Sequence, residues 1–228
     1  MKYLRSLFIL FILLTLSVRT VWAQRGVSDS LMNRASMEYP LEYTGVFKTN
    51  PLSMLWGSIP LTAEFVALYE FVSAPQQSSQ VGISYISKSP ILKVFEDTIQ
   101  DLKLLTINGV RLQLSHRLYF LSQYDFAPRG LYFAPQISYA TVKVSTKHYS
   151  SRDVYIRVTQ FNANMLIGWQ WINGGDYTID VFTGLGYKDN IWEGHDSQTT
   201  IRIDNDEFGG YYSSNFKFSI GFHLGIAF

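Results

Sequence analysis

The sequence predicts an all-β fold, an eight-stranded, antiparallel, up-and-down transmembrane β-barrel with one short helix in an outer loop. Three observations carry this prediction. Bulky apolar residues recur at every second position near the C-terminus, several upstream segments show the same period, and aromatic residues make up 16% of the chain. A period of two is that of a β-strand. An excess of aromatic residues is typical of barrels that carry aromatic girdles at both membrane interfaces.

The C-terminal segment, residues 215–228, alternates without a break. One set of positions is aromatic or branched: Phe216, Phe218, Ile220, Phe222, Leu224, Ile226 and Phe228. The other set holds small or polar residues, whereas a water-soluble sandwich would expose long charged side chains there. The pattern is therefore typical of a closing barrel strand whose apolar face meets lipid. We expect the outer-membrane assembly machinery to engage this strand.

The N-terminal residues predict export. Lys2 and Arg5 precede an apolar run at 7–18, which is about a dozen residues long and short for a spanning helix. A cleavage site fits at Ala23, and an uncleaved anchor helix is the alternative. The predicted domains are a signal peptide at 1–23, an irregular periplasmic segment at 24–42 and an outer-membrane β-barrel at 43–228.

The composition excludes several classes of protein. The chain has no cysteine, so disulfides, cysteine-ligated zinc and a lipid-anchored export signal are excluded. The net charge of +1 gives no basic field for nucleic acid. The acidic run Asp204-Asn205-Asp206-Glu207 lacks the spacing of a calcium loop, so we expect no metal site and no cofactor.

Seven strands are predicted before the closing one. They fall at about 45–56, 61–72, 80–87, 110–121, 130–147, 154–172 and 177–190. The alternation slips near Thr141 and Thr159, which either a β-bulge or emergence from the membrane explains.

The two longest connections, 88–108 and 191–213, fall on the same side of the predicted barrel, which we take as extracellular. Ser89 and Pro90 read as the N-cap and first position of a helix in the first of these connections. That helix either caps the barrel rim or docks a partner.

The alternation places polar and charged residues of both signs in the lumen. These residues are Glu64, Glu70, Arg111, Gln113, Arg117, Gln136, Asn162, Asn164, Gln170, Asp180, Lys188, Lys217 and His223. The opposite placement would cost about 2–4 kcal/mol for each Arg or Lys at the bilayer midplane. An eight-stranded barrel is narrow enough for side chains to fill it. We therefore predict a carboxylate–guanidinium network, with Glu64 and Glu70 facing Arg111 and Arg117, that plugs the lumen; the alternative is a narrow polar path.

Four stretches resemble a known family. They are Phe47-Lys48-Thr49-Asn50-Pro51-Leu52, Gly109-Val110-Arg111-Leu112-Gln113, Arg117-Leu118-Tyr119-Phe120 and Ala127-Pro128-Arg129-Gly130-Leu131-Tyr132-Phe133. These stretches are similar to the small, mostly uncharacterised outer-membrane β-barrels common in Bacteroidota. The resemblance implies an export signal, an eight-stranded barrel and a Gram-negative outer membrane. It brings no catalytic residues.

The predicted role is structural or surface-interacting, without catalysis, in contact with outer-membrane lipid, lipopolysaccharide and an envelope protein partner rather than nucleic acid. One competing hypothesis is a lipid A-modifying enzyme. Its only candidates are His148 and Ser150, whose His-x-Ser spacing puts both side chains on one face of a strand. A second competing hypothesis is a narrow transporter for small solutes or hydrophobic molecules, and a third is a soluble barrel of lipocalin type.

Overall fold

The computed structural model describes residues 43–59, 61–95, 105–120, 126–146, 154–196, 199–203 and 214–228. The elements within these ranges are β1 Gly45–Thr49, β2 Thr62–Ala74, β3 Gln77–Lys88, α1 Pro90–Phe95, β4 Leu105–Phe120, β5 Gly130–Thr146, β6 Tyr155–Ile172, β7 Tyr177–His195, β8 Thr200–Ile203 and β9 Phe216–Ala227. The predicted signal peptide, the predicted periplasmic segment, His148 and Ser150 lie outside the described residues. No helix among the described residues has the length and apolarity that a bilayer crossing requires.

Eight of the strands close into an antiparallel barrel. Strands β1 to β7 each pair with their sequence neighbours, and β9 joins β7 to β1. Strand β8 extends the upper part of β7 as a short hairpin. The predicted eight-stranded up-and-down barrel is therefore confirmed. We call the end that carries Gly45 and Phe228 the lower end, and the end that carries α1 the upper end.

The first strand is shorter than predicted, since β1 ends at Thr49 rather than near residue 56. Asn50 and Pro51 end it. The Asn50 side chain accepts a hydrogen bond from the Ser53 amide at 3.1 Å, and the Ser53 hydroxyl donates to the Asn50 carbonyl at 2.8 Å. Proline has no N–H to continue a ladder, so the chain turns here instead of extending the strand.

Other strands run further toward the upper end than predicted. Strand β4 begins at Leu105 rather than near Val110, and β7 continues to His195 rather than near Asn190. Strand β8 occupies part of the connection predicted at 191–213. Helix α1 begins at the predicted Pro90, where the Ser89 hydroxyl accepts the Ile91 amide at 3.2 Å.

The alternation of inward and outward residues does not slip near Thr141 and Thr159. Instead, the polarity of the inward and outward faces changes there. The β5–β6 register is continuous from Ser145↔Tyr155 to Gly130↔Gln170, so a bulge there is wrong. At the upper end the interior becomes apolar, and exposed Lys143 lies on the outside. The upper apolar cluster comprises Ile59, Ile86, Ile107, Ala140, Val142, Val158 and Trp192.

Below this cluster the exterior carries a predominantly apolar belt, which also includes the exposed Thr183 and the half-buried pair of Ser79 and His116. Its exposed side chains include Phe65, Phe71, Val81, Ile83, Val110, Leu112, Leu114, Met165, Ile167, Ile179, Val181, Leu185, Phe218, Ile220 and Leu224. Exposed aromatic residues bound it, with Tyr85, Tyr139 and Tyr187 above and Trp171, Tyr177 and Phe228 below. From Tyr177 to Tyr187, a rise of about 3.3 Å per residue and a tilt of about 40° give a height of about 25 Å.

Candidate functional site in the barrel lumen

Two carboxylates and two cations meet in the lower half of the lumen. Asp180 Oδ2 lies 2.8 Å from Arg117 Nη2 and 3.2 Å from Lys48 Nζ. Lys48 also contacts Glu70, and Arg117 Nη1 lies 3.5 Å from Glu70 Oε2. All four side chains are at most 2% exposed. Each buried cation contacts a buried carboxylate. These contacts offset the free-energy cost of removing the four charged groups from water.

Neutral side chains complete the hydrogen bonding of the two carboxylates. The Tyr119 hydroxyl donates to Glu70 at 2.6 Å, and the Tyr132 hydroxyl donates to Asp180 Oδ1 at 2.7 Å. His223 Nδ1 lies 3.1 Å from Asp180 Oδ2. We call the whole set the lower network. It takes a side chain from each barrel strand in turn: Lys48, Glu70, Ser78, Arg117, Tyr132, Gln170, Asp180 and His223.

Sequence reasoning placed Glu70, Arg117, Asp180 and His223 in the lumen, and the structure brings them together. It missed Lys48, which bonds to Gln170 at 2.5 Å and contacts both carboxylates. The sequence signal that could have identified Lys48 is its place in the alternation of the first strand, which was only weakly predicted.

A second, separate cluster lies higher in the lumen. Arg111 Nη2 is 3.1 Å from Glu64 Oε1 and 2.9 Å from Gln160 Oε1. Ser58, from the β1–β2 connection, donates its hydroxyl to Glu64 at 2.6 Å and contacts Arg111. The two predicted carboxylate–guanidinium pairs are thus Glu64 with Arg111 and Glu70 with Arg117, at two levels of the barrel.

Ser58 provides a test of this upper cluster. Replacing Ser58 with alanine removes a hydrogen bond from each of two charged groups, so we expect a loss of about 1–2 kcal/mol in unfolding free energy. Urea unfolding followed by tryptophan fluorescence measures it. Ser73→Ala, at an exposed serine, is the control and is expected to change stability by less than about 0.5 kcal/mol. Equal effects of the two substitutions would contradict the assigned contacts.

A cavity of about 610 Å³ lies between the lower network and the upper apolar cluster. The polar and charged residues that line it are Asn50, Ser53, Ser58, Glu64, Arg111, Gln113, Gln136, Ser138, Gln160, Lys188, Lys217, Ser219 and His223. The lumen is therefore filled at the level of the lower network and open above it, which refines the expectation of a lumen filled throughout.

Basic side chains outnumber carboxylates among the described residues of the cavity wall. Arg111, Lys188 and Lys217 line it, and Glu64 is the carboxylate that these residues share the wall with. Lys217 forms no ion pair with any other described residue. The predicted lumenal positions of Lys188 and Lys217 therefore bring both lysines to the cavity rather than to the lower network.

The closing strand places its large side chains outside the barrel. Six of them are exposed, namely Phe216, Phe218, Ile220, Leu224, Ile226 and Phe228, and Phe222 is half-buried. On the opposite face, His223 reaches the lower network and Lys217 reaches the cavity. One strand thus contributes both to the apolar belt and to the lumen.

The comparisons with known proteins do not identify the chain. No family model, no curated protein and no solved structure matches it. Within the described ranges, His, Asp and Glu residues form no cluster of three or more that could hold a metal ion. The functional assignment therefore depends on the geometry of the barrel.

Proposed function

We propose that the protein is a non-conducting barrel of a Gram-negative outer membrane, with a structural or surface-interaction role and no catalytic activity. One observation carries the proposal: charged side chains are buried inside the barrel, and apolar side chains are exposed on its outside. Asp180, Glu70 and Lys48 are buried, whereas Ile220 is 71% exposed. Soluble proteins rarely expose a contiguous apolar patch of more than a few hundred Å², and the apolar belt runs around the barrel.

The dimensions of the belt support a bilayer as its surroundings. Its height of about 25 Å equals that of the apolar band of outer-membrane barrels, and aromatic girdles flank that band as they do here. A soluble barrel of lipocalin type would instead place its apolar side chains inside. The resemblance to Bacteroidota barrels and the export signal predicted at residues 1–23 agree with this location.

The upper end supplies the surface that we assign to the cell exterior. Its strands extend past the belt, and there the outside is polar and the inside apolar, as expected for a part of the barrel that stands in water. The long connections leave from this end, as the extracellular loops of outer-membrane barrels do. Lipopolysaccharide and an envelope protein are the partners that this surface would meet.

Fractionation of the native envelope tests the location. We expect the mature chain to stay with outer-membrane lipid through salt and carbonate washes and to be released only by detergent. Release by carbonate would overturn the proposed location. Mass spectrometry of lipid A from cells with and without the gene tests the absence of catalysis, and a changed acyl pattern would overturn that part.

The lower network predicts that the barrel does not conduct ions. Side chains from all eight strands meet across the lumen, and their contacts are at hydrogen-bond distance. In planar bilayers we expect no steady conductance from the purified protein, measured beside a general porin of known conductance. Steady, large single-channel steps would contradict the plug and favour a transporter.

A further inference from the structure

The barrel wall is incomplete between β1 and β9. Strand β1 pairs with β9 from Val46↔Ala227 to Thr49↔Leu224. On its other side β9 pairs with β7 along its full length, from Tyr177↔Ile226 to Tyr187↔Phe216. Within the described part of the chain, residues 216–223 of β9 therefore have no strand beside them on the β1 side. We call this opening the seam.

The two edges of the seam differ. The edge of β2 is satisfied by the β1–β2 connection: the Glu64 amide donates to the Ser53 carbonyl at 2.7 Å, and the Gly57 amide donates to the Thr62 carbonyl at 2.7 Å. On the edge of β9, the Phe216 amide donates to the Ser214 hydroxyl at 3.1 Å, whereas Phe218, Ile220 and Phe222 have no such partners among the described residues. By the alternation of antiparallel ladders, the main-chain groups of Ile220 point into the seam.

Unpaired backbone is costly in hydrocarbon and is tolerated at membrane depth only where it is buried in protein or lines a water-filled cavity. The β9 edge meets this condition because Phe218, Ser219 and Ile220 line the 610 Å³ cavity. The seam therefore connects the cavity to the apolar belt.

The rim of this opening is apolar on both sides. Leu52 and Trp56, from the turn that ends β1, lie on one side, and Phe218 and Ile220 lie on the other. Trp56 is 68% exposed. The same cavity therefore has an apolar rim facing outward and polar, basic side chains inside.

From this arrangement we infer that the cavity binds the anionic headgroup of a membrane amphiphile, which enters sideways through the seam and leaves its acyl chain against the rim. The inference goes beyond the proposed function and rests on its membrane location. Its chemistry follows from the wall, where the basic side chains of Arg111, Lys188 and Lys217 outnumber the carboxylates among the described residues, with Glu64 beside Arg111. Lys217 has no ion-pair partner among the described residues, and Arg111 Nε is buried without a hydrogen-bond acceptor there.

The size and the rim favour a membrane amphiphile over other occupants of the cavity. Ligand sites typically enclose about 300–1,000 Å³, so 610 Å³ accommodates a headgroup and the first part of a chain. A free anion would gain nothing from Leu52, Trp56 and Phe218. A zwitterionic headgroup would add its own positive charge to a wall in which basic side chains already outnumber carboxylates among the described residues.

The test uses the purified full chain in neutral detergent micelles and native mass spectrometry. The probes are single-chain phosphatidylglycerol, single-chain phosphatidylcholine and inorganic phosphate. We expect one phosphatidylglycerol to bind per barrel, at least tenfold tighter than phosphatidylcholine, and no retained phosphate. Lys217→Gln should weaken phosphatidylglycerol binding about tenfold, because a charge-assisted contact is lost.

Lys143→Gln is the matched control. Lys143 is an exposed lysine at the upper end of β5 whose Nζ lies 4.0 Å from the centre of the Tyr155 ring, away from the cavity. We expect it to leave phosphatidylglycerol binding unchanged. Equal weakening by both substitutions, or equal binding of the two lipids, would overturn the inference and leave the membrane location intact. Retained phosphate that competes with the lipid would instead assign the cavity to a free anion.

A measurement on the unmodified chain covers the case in which Lys217→Gln does not fold. A phosphatidylglycerol with a photoreactive group near the headgroup should cross-link to the peptides around 50–58 and 216–220. Cross-links distributed evenly over the belt would show ordinary solvation by lipid and would overturn the inference.

Discussion

Replacing Asp180 with asparagine is expected to destabilise the barrel by about 3–5 kcal/mol, the loss typical of removing one partner from a buried ion pair. Asp180 accepts hydrogen bonds from Arg117 at 2.8 Å, Lys48 at 3.2 Å and Tyr132 at 2.7 Å. Asparagine keeps the shape and removes the charge, so Arg117 and Lys48 would share Glu70 alone. Urea unfolding of the protein in lipid vesicles, followed by tryptophan fluorescence, measures the difference.

Asp189→Asn on the same strand is the control. Asp189 comes directly after Lys188 in β7. Its side chain lies outside the barrel, above Tyr187, and is partly exposed. Its replacement is expected to change the unfolding free energy by no more than about 0.5 kcal/mol. If Asp189→Asn and Asp180→Asn cost the same, the lower network does not stabilise the fold.

A compensating substitution separates charge balance from packing. Lys48→Met in the Asp180→Asn background leaves Arg117 facing Glu70, one charge of each sign. Because the groups are in direct contact, the double variant should lose less stability than the sum of the two single variants. Additive losses would show that Lys48 and Asp180 act independently.

The alternation of apolar and polar residues predicted which side chains face the lumen wherever the outside of the barrel is apolar and the inside is polar. Glu70, Arg117 and Asp180 could be placed because the intervening positions are bulky and apolar. Which carboxylate meets which guanidinium depends on strand register, which the sequence does not encode locally. Arg117 lies opposite Ser78, and Ser78 lies beside Glu70 in the lumen, so Arg117 meets Glu70 rather than Glu64.

The upper ends of β4 and β7 were predicted too short, and a slip was predicted in β5 and β6, for one physical reason. There Ile107, Val158 and Trp192 point inward and Lys143 and Arg157 point outward, which reverses the rule that holds in the belt. Under the rule for lipid-facing strands, this reversal looks like a change of phase. The period of two in fact continues, and only the surroundings of each face change.

The seam could not be predicted from β9, because the alternation from Phe216 to Phe228 is the same whether or not a partner strand is present. Its cause lies at the other edge, where Asn50 and Pro51 end β1 early. The same turn brings Ser58 to Glu64 and Trp56 to the rim. One local turn thus shortens the wall, satisfies the edge of β2 and shapes the entrance of the cavity.

Ile167→Arg is expected to cost about 2–4 kcal/mol if the apolar belt lies in a bilayer, because Ile167 is close to the midplane of the belt. Ile167 lies on β6 opposite Phe133 and Thr183, faces outward and is 48% exposed. The measurement is the unfolding free energy of protein inserted into lipid vesicles.

Thr159→Arg is the control for this substitution. Thr159 is on the same strand and the same outward face, but it lies above the belt, where polar residues already face outward. Arginine there is expected to change stability by about 0.5 kcal/mol or less, as at an ordinary water-exposed position. A barrel surrounded by water would tolerate arginine equally at both positions. Equal, small effects would therefore contradict the membrane location, whereas a large loss at Ile167 alone would support it, since only a hydrocarbon environment distinguishes the two sites.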